Sequence, residues 1–427
     1  MDGSGCRRLW GSIVVHPVCV FAGVWTLAFM LYGLHLSELL IFDAKNFTYL
    51  YVAIVGSFLA GYAYASAISF GLSRGTASDG GVTGFDFTDL VDGEAEIIWR
   101  RVWVLFWFWA LCTIAEVVVS HGVPLMWLIE GAAKDYRDFG IPSVHGVLLS
   151  LLLGCSMVSY YLYLQTEERR FLSIPIFAVI WFLICITRGF FIGILLQFLF
   201  LYLCLNRIKM SQAIKIGLAI LVVIVFFGIV GNFRSGSADL IRAVGQPTEN
   251  FPTWLPTGFL WVYIYMATPL NNLFNTIELH PAVDYYTLST TTAQLFPSFI
   301  RGLIFAKASL KQADLVNQNL NVSTEFIGPY LDMGVLGIVL FSLLFGILAK
   351  VFWSRRSSRV ALLGYVFIAQ AMALSIFYDI LLDLPFLFQL AWFWYILRPL
   401  RWRPAEREES MDPVAALDGP QGQGAAT

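Results

Sequence analysis

The sequence contains few charged residues. Of its 427 residues only 13% are Asp, Glu, Lys or Arg, about half the share found in an ordinary soluble domain. By contrast, 58% are hydrophobic and the mean hydropathy is +0.72. This composition excludes a soluble globular fold. The formal net charge of -2 lacks the basic excess of nucleic-acid-binding proteins, so nucleic acid is not an expected partner.

The sequence also lacks a cysteine framework. Its six cysteines lie in or beside apolar segments, none falls between 232 and 325, and no CxxC pair occurs. A disulfide-stabilised domain or a cysteine metal site normally shows as regular cysteine spacing. The sequence therefore predicts neither of these, and no metal or cofactor is expected.

Long apolar runs dominate what is present. A helix needs roughly 20 apolar residues to cross a bilayer, and the qualifying runs centre near 18–34, 47–71, 102–119, 143–164, 216–231, 333–352, 360–378 and 384–397. The stretch 171–205 would be roughly 50 Å long as one helix, which is too long for a single crossing. We predict two spans there that turn at Thr187-Arg188-Gly189, and an all-α polytopic transmembrane bundle overall.

The positions of the cations predict the orientation of these spans. Lys and Arg near span ends stay on the cytoplasmic side, and the clusters near 7–8, 74–101, 169–170, 207–215, 355–359 and 398–403 fall on one side when the spans alternate. Both termini are then cytoplasmic, and the first apolar run is a signal anchor. Arg188, the loop 120–142 and the start of 232–325 lie on the outer face.

The polar region 232–325 leaves the number of spans open. The following helix begins outside, so either no crossing or two crossings occur within this region. Residues 258–274 are apolar enough to cross, whereas 284–306 is rich in Thr and contains Pro297. We predict about 12 spans, with about 10 as the alternative, and one large late periplasmic region. Residues 1–402 form the transmembrane domain, and 403–427, rich in Pro, Gly, Ala and acids, form a disordered cytoplasmic tail.

Cations gather on the predicted outer face, where the positive-inside rule should deplete them. Arg234 opens the stretch RSGSADLIRAVG, which also contains Arg242 and Gly245. The other outer cations are Arg188, Arg301, Lys307 and Lys311. Guanidinium groups bind phosphate oxygens in bidentate fashion and keep their charge. These residues predict a phosphate-binding site, although each of them can also be explained as a solvated residue or one in contact with lipid phosphates.

Transfer to a hydroxyl also requires a base. The outer-face candidates are Asp239, Glu249, His280, Asp284, Asp314, Glu325 and Asp332, and their spacing singles out none of them. The acids at 86, 89 and 92 and the Asp379/Asp383 pair superficially resemble the magnesium motifs of intramembrane prenyltransferases. That chemistry is not expected here, because the predicted topology puts the two sets on opposite faces.

These residues resemble the Wzy-type family of bacterial O-antigen and exopolysaccharide repeat-unit polymerases. The arginine, ten residues, glycine pattern from Arg234 to Gly245 is similar to one in periplasmic loops of that family. The stretch NVSTEFIGPYLDMGVLGI contains Tyr330, Asp332, Gly334 and Gly337 in the pattern Tyr-x-Asp-x-Gly-x-x-Gly, and it is similar to the family's entry into a late span. Arg301 departs from the pattern because Gln312, rather than glycine, follows at the same distance.

The resemblance implies a metal-independent glycosyltransferase in the bacterial inner membrane. It would move the growing glycan from undecaprenyl pyrophosphate to the non-reducing end of a new lipid-linked repeat unit. In this interpretation the pyrophosphate is bound by Arg188, Arg234 and Arg301, and the base is Asp239 or Asp332. Further substrate contacts are expected from Arg242, Gly245, Lys307, Lys311 and Tyr330. The expected partners are the lipid-linked oligosaccharides, the lipid bilayer, a chain-length regulator and a flippase.

Two alternatives remain open at the level of the sequence. A ligase would move finished polymer onto a different acceptor. A flippase or transporter would translocate the same lipid-linked sugars without forming a glycosidic bond, and would be expected to use charged residues from both halves of the bundle. The concentration of cations in one outer region favours chemistry on one face.

Overall fold

The structure, a computed structural model, describes residues 13–74, 90, 93–134, 136–206, 238–252, 254–281, 286–305, 310–318 and 320–398, with isolated positions between 211 and 225. The chain as far as Leu397 forms one compact unit. The predicted tail 403–427 lies outside the described residues.

The described part of the chain is mainly helical, which confirms the all-α prediction. It contains no strand, and its one extended pairing is an isolated bridge between Ser37 and Pro247. Five helical segments are long and apolar enough to cross a membrane: Ala44–Ser69, Glu94–Glu130, Val144–Thr166, Arg188–Leu205 and Ile327–Ser354. Shorter apolar helices cover Pro17–Gly33, Arg359–Leu374 and Leu384–Leu397.

The first half of the chain forms seven helices in the described ranges. These are α1 (Pro17–Gly33), α2 (Ser57–Arg74), α3 (Glu94–Ser120), α4 (Pro124–Glu130), α5 (Val144–Thr166), α6 (Ser173–Ile184) and α7 (Arg188–Leu205). A continuous series of short 3-10, α and π turns from Ala44 to Gly56 leads into α2. The break between α6 and α7 falls at the tripeptide where the sequence predicted a turn, and Ile186 there adopts a φ of 56°.

The second half has shorter pieces before its long helices. They are α8 (Ala238–Gly245), α9 (Thr257–Leu279), α10 (Ser289–Thr292), α11 (Ser298–Ile304), α12 (Ile327–Ser354), α13 (Arg359–Leu374), α14 (Leu384–Leu387) and α15 (Gln389–Leu397). Residues 286–305 contain only α10, a 3-10 turn and α11. The described part of the weak crossing candidate 284–306 is therefore divided among short helices, and none of them reaches the length of a span.

Connections between helices meet at two ends of the bundle. At one end, here the Asp332 end, the Ser143 hydroxyl lies 2.8 Å from that of Ser298, the Ser37 hydroxyl donates to the Gly245 carbonyl at 2.6 Å, and the Glu325 amide donates to the Ser375 carbonyl at 2.8 Å. The Asp332 end thus holds the connections that follow α1, α3, α9 and α13, together with the connection that precedes α12.

Ion pairs tie together the connections at the other end. Arg359 at the start of α13 binds both oxygens of Glu94 at the start of α3, at 2.6 and 3.0 Å. Arg170, just before α6, contacts Glu96 at 2.9 Å. Arg359 and Arg170, from two of the cationic clusters that the orientation prediction assigns to one side, thus lie at the same end of the bundle.

Helix α9 organises the Asp332 end through two buried asparagines. The Asn271 amide donates to the Leu39 carbonyl at 2.7 Å, and its oxygen accepts from the Tyr32 hydroxyl at 2.8 Å. Asn272 donates to the carbonyls of Leu320 and Val322 at 3.0 and 2.8 Å. Buried amides are stable only when hydrogen-bonded, so these contacts fix the segments after α1 and before α12 to one helix.

Helices α2 and α12 form a close pair because glycines remove side chains from their interface. A Cβ atom added at Gly61 would lie 2.0 Å from the Leu343 carbonyl oxygen, and one added at Gly346 would lie 2.1 Å from that of Phe58. The Ser342 hydroxyl also donates across the pair to the Ile54 carbonyl at 2.6 Å. Such close backbone approach is a general mode of helix association in membranes.

This packing predicts that Gly346→Ala destabilises the protein. The methyl group has no space against the α2 backbone, and overpacking of this kind typically costs about 1–3 kcal/mol. Thermal unfolding of the purified protein in detergent should show a lower Tm. The control is Gly23→Ala in α1, where no atom lies within 4 Å of the new Cβ; it should leave Tm unchanged or raise it slightly. Equal Tm values for both variants would contradict the close pair.

Candidate functional site

The predicted site motif Tyr-x-Asp-x-Gly-x-x-Gly contains a break in α12. Gly334 has φ 63° and ψ -148°, a conformation that is essentially restricted to glycine. The reversal folds the first part of α12 back onto the second, so that a Cβ at Gly337 would lie 1.9 Å from the Pro329 carbonyl oxygen. The two glycines of the motif therefore have separate physical roles. One permits the break and the other permits the close contact.

Asp332, two residues before the break, anchors the segment that contains α10. Its Oδ1 accepts from the Thr287 hydroxyl and the Thr290 amide at 2.8 and 3.1 Å. Its Oδ2 accepts from the amide and the hydroxyl of Thr291 at 2.7 and 2.8 Å. With 1% exposure and four donors, this carboxylate holds two parts of the chain together and has no obvious free acceptor position for a substrate proton.

Tyr330 and Lys311 lie at the same break. The buried Tyr330 hydroxyl donates to the His280 carbonyl at 2.6 Å, and the Lys311 amine donates to the Leu331 carbonyl at 3.4 Å. Tyr330 also lines an open cleft of about 230 Å³, here the Tyr330 cleft, whose other lining residues are Pro281, Tyr286, Met333, Gly334, Val335 and Leu336. The structure thus brings Tyr330, Asp332 and Lys311 together around one short helical segment.

A second group of side chains lies where α12 begins and α13 ends. It consists of Glu325, Asp379 and Asp383, here the carboxyl cluster. Glu325 is 1% exposed and neither carboxylate oxygen has a hydrogen-bond partner of good geometry among the described residues. Asp379 and Asp383 keep some accessible surface although protein atoms surround them.

Burial sets the protonation of the carboxyl cluster. It raises the pKa of Asp379 to about 7, against the lowering effect of the Leu382 amide. Burial and the charge on Asp379 together raise the pKa of Asp383 to about 8. The pKa of Glu325 is raised well above its usual range by burial and by Asp379, and the Leu381 amide offsets this only in part. Buried acids of this kind occur frequently in functional sites.

Arg188 is the first residue of α7, and the backbone of the next residue, Gly189, contacts the residue that precedes Asp379. The Tyr378 hydroxyl contacts the Gly189 carbonyl at 3.4 Å, and Tyr378 directly precedes Asp379. Arg188 is exposed and has no ion-pair partner among the residues that the structure describes. A permanent cation at a helix N-terminus is a favourable setting for an anion.

The other predicted site residues lie on separate segments. Arg301 is half-buried in α11, Arg242 is exposed at the end of α8, and no hydrogen bond or ion pair joins either to Arg188. Gly245 is buried against α9, where a Cβ would lie 2.4 Å from Ile264, which gives this glycine a packing role. Arg234 and Lys307 lie outside the described residues, as does the side chain of Asp239.

Two further titratable residues pair close to the Tyr330 cleft. His280 Nε2 lies 2.9 Å from Asp314 Oδ2, with both side chains more than one third exposed. The Asp314 amide donates to the Thr276 hydroxyl of α9 at 3.1 Å, which fixes the backbone beneath this pair. Among the described residues, no group of three His, Cys, Asp or Glu side chains is arranged to hold a metal ion.

The spacing of the sequence did not reveal the carboxyl cluster. Asp379 and Asp383 were visible as a DxxxD pair, and Glu325 as one of several possible bases, but nothing in the sequence joined them. The available indication was that both aspartates lie between two apolar runs, where ionisable residues are uncommon and tend to be functional.

The anchoring of α10 predicts the effect of Asp332→Asn. An amide has one acceptor oxygen, so at least two of the four donors lose their partner, and each buried unsatisfied group costs about 1–3 kcal/mol. Hydrogen exchange should accelerate at the Thr290 and Thr291 amides. The control is Asp43→Asn, because the exposed Asp43 carboxylate accepts from the local Lys45 amide at 3.0 Å; exchange in α10 should then be unchanged. Unaltered exchange in Asp332→Asn would show that the segment is held by other contacts.

Comparison with models of known families, with curated proteins and with solved structures finds no match for this chain. The function has to be inferred from its own residues and their geometry.

Proposed function

We propose that this chain is a multi-pass membrane glycosyltransferase that polymerises lipid-linked oligosaccharide repeat units. The donor is a growing glycan on undecaprenyl pyrophosphate, and the acceptor is the non-reducing end of a fresh lipid-linked unit. Transfer takes place on the periplasmic face of the bacterial inner membrane, and both termini lie in the cytoplasm. The main support is the position of Arg188, an exposed cation at the start of a span-length helix, without an ion-pair partner among the described residues, whose neighbour Gly189 contacts Tyr378 just before the buried acid Asp379.

The topology in this proposal has about ten spans. The five long helical segments and α1, α6, α13 and α14–α15 account for nine, and the apolar run 216–231 provides one more. Region 232–326 then stays on the outer face, with α9 packed against segments from the ends of other outer connections. The short pieces in 286–305 favour this arrangement over about 12 spans.

The chemical roles follow from charge. A leaving diphosphate gains negative charge as its bond to the anomeric carbon breaks, and positioned guanidinium groups stabilise that charge. Arg188 is the described residue best placed for this, with Arg234, Arg242, Arg301 and Lys307 as further candidates. Because its four acceptor positions are occupied, Asp332 is assigned to positioning, together with Tyr330 and Lys311 at the break.

Two other activities would use similar residues. A ligase would transfer finished glycan to a different acceptor, and a flippase would move the same lipid without making a bond. The concentration of the outer arginines and buried acids at one end of the bundle favours chemistry at that end. An incubation of purified protein with lipid-linked repeat units alone separates the three, because only a polymerase yields a ladder of products. Unchanged substrate would contradict the proposal.

Replacement of Arg188 tests its role in this reaction. We expect Arg188→Ala to lower turnover by about 10²–10³, by analogy with loss of one donor to a developing oxyanion. Arg188→Lys should recover only part of the activity, because the bidentate fork is lost while the charge remains. The gel ladder gives the measurement. The matched control is Arg137→Ala, which removes an exposed arginine from the connection after α4 and should leave the ladder as in the wild type. Normal ladders from Arg188→Ala would remove this residue from the mechanism.

A further inference from the structure

The unpartnered oxygens of Glu325 require an explanation. A buried polar group without a hydrogen-bond partner lowers the stability of a protein, and few native side chains are found in that state. Glu325 is held in place by its own backbone, whose amide donates to the Ser375 carbonyl at 2.8 Å. Ser375 is in turn bound by the Trp25 indole at 3.0 Å. The backbone is therefore fixed at this point, and a hydrogen-bond donor brought by a ligand would satisfy oxygens that have no partner of good geometry among the described residues.

The two aspartates also have acceptor atoms without a hydrogen-bond partner among the described residues. Asp379 Oδ1 accepts from the Leu382 amide at 3.0 Å, while Oδ2 has no partner in the described part of the chain. Asp383 precedes α14 at the N-cap position, but its side chain makes no capping hydrogen bond. Three adjacent carboxyl groups with spare acceptor positions suit a ligand that has several hydroxyl groups, which is the chemistry of a sugar.

The surroundings of Asp379 contain few charges that could fix its protonation. Glu325 faces it from the start of α12 and Asp383 from the start of α14. Tyr378 is its neighbour in the same connection, and Arg188 lies beyond Tyr378 at the start of α7. On the other side of α14, where Gly146 packs against Pro385, His145 and Glu116 pair with each other at 3.0 Å.

We propose that the carboxyl cluster binds the acceptor sugar and that Asp379 Oδ2 takes the proton of the attacking hydroxyl. This inference rests on the proposed function. The acceptor O–H bond breaks as its oxygen forms the new glycosidic bond to the donor's anomeric carbon. The bond from that carbon to the diphosphate oxygen breaks, and its electron pair leaves with the lipid diphosphate. The proton remains on Asp379 until it passes to water.

The order of ionisation suits this division of roles. As pH rises, Asp379 loses its proton first, with a pKa of about 7, and its charge helps Asp383 keep a proton to about pH 8. An efficient base has a pKa close to the working pH. Since only the ionised form of Asp379 accepts a proton, transfer should be lost as pH falls through 7. Protonated Asp383 remains as a hydrogen-bonding partner for the sugar.

The test measures single-turnover bond formation by purified full-length protein with lipid-linked repeat units, across about pH 5.5 to 9. Four proteins are compared with the wild type: Asp379→Asn, Asp379→Glu, His280→Gln and Asp43→Asn. His280 is included because its pair with Asp314 is the competing base. Binding of a labelled repeat unit and Tm are measured in parallel, so that a folding defect is distinguished from a chemical one.

We expect Asp379→Asn to lose about 10²–10⁴ in rate with binding within a factor of about three. Asp379→Glu should restore part of the rate, His280→Gln should keep the acid limb of the profile, and Asp43→Asn should match the wild type. Wild-type rates in Asp379→Asn would overturn the inference, as would an acid limb that persists in Asp379→Asn but disappears in His280→Gln. Absence of any product from the wild type would instead overturn the proposed function itself.

Discussion

The break of α12 at Gly334 is the constraint on which the Asp332 end depends. A continuous helix would carry residues 327–333 along the helix axis and away from the segments that they contact. The reversal turns this short piece back, so that Asp332 meets the backbone of α10 and Tyr330 reaches the end of α9. One backbone conformation, available at low cost only to glycine, thus determines both contacts.

Polar residues are distributed unequally between the two ends of the bundle. At the end opposite Asp332, arginines are satisfied by nearby glutamates, as in the bidentate pair of Arg359 and Glu94. At the Asp332 end, Arg188 is exposed without an ion-pair partner among the described residues, while Glu325 is buried without a hydrogen-bond partner among them. Paired charges mainly support structure, whereas separated charges remain available to a ligand. The groups that remain available to a ligand among the described residues therefore lie at the Asp332 end.

Sequence patterns predicted the apolar helices well, because long hydrophobic runs have few other stable structures in a bilayer. The turn before Arg188 and the importance of Gly334 and Gly337 were also accessible. The role of Asp332 as an anchor for threonines could not be predicted, because a carboxylate that anchors threonines and one that accepts a proton look the same in a sequence. Gly245 likewise belonged to a motif that suggested substrate contact, and its burial against Ile264 depends on a helix elsewhere in the chain.

The four hydrogen bonds on Asp332 have a consequence for motion. They converge on a single side chain. If the donors from Thr287 to Thr291 separated from α12 one at a time, a buried oxygen of Asp332 would lose its hydrogen bond and gain none in exchange. The segment is accordingly attached or detached as a whole. Attachment of this all-or-none kind would give the Asp332 end of the bundle two discrete arrangements.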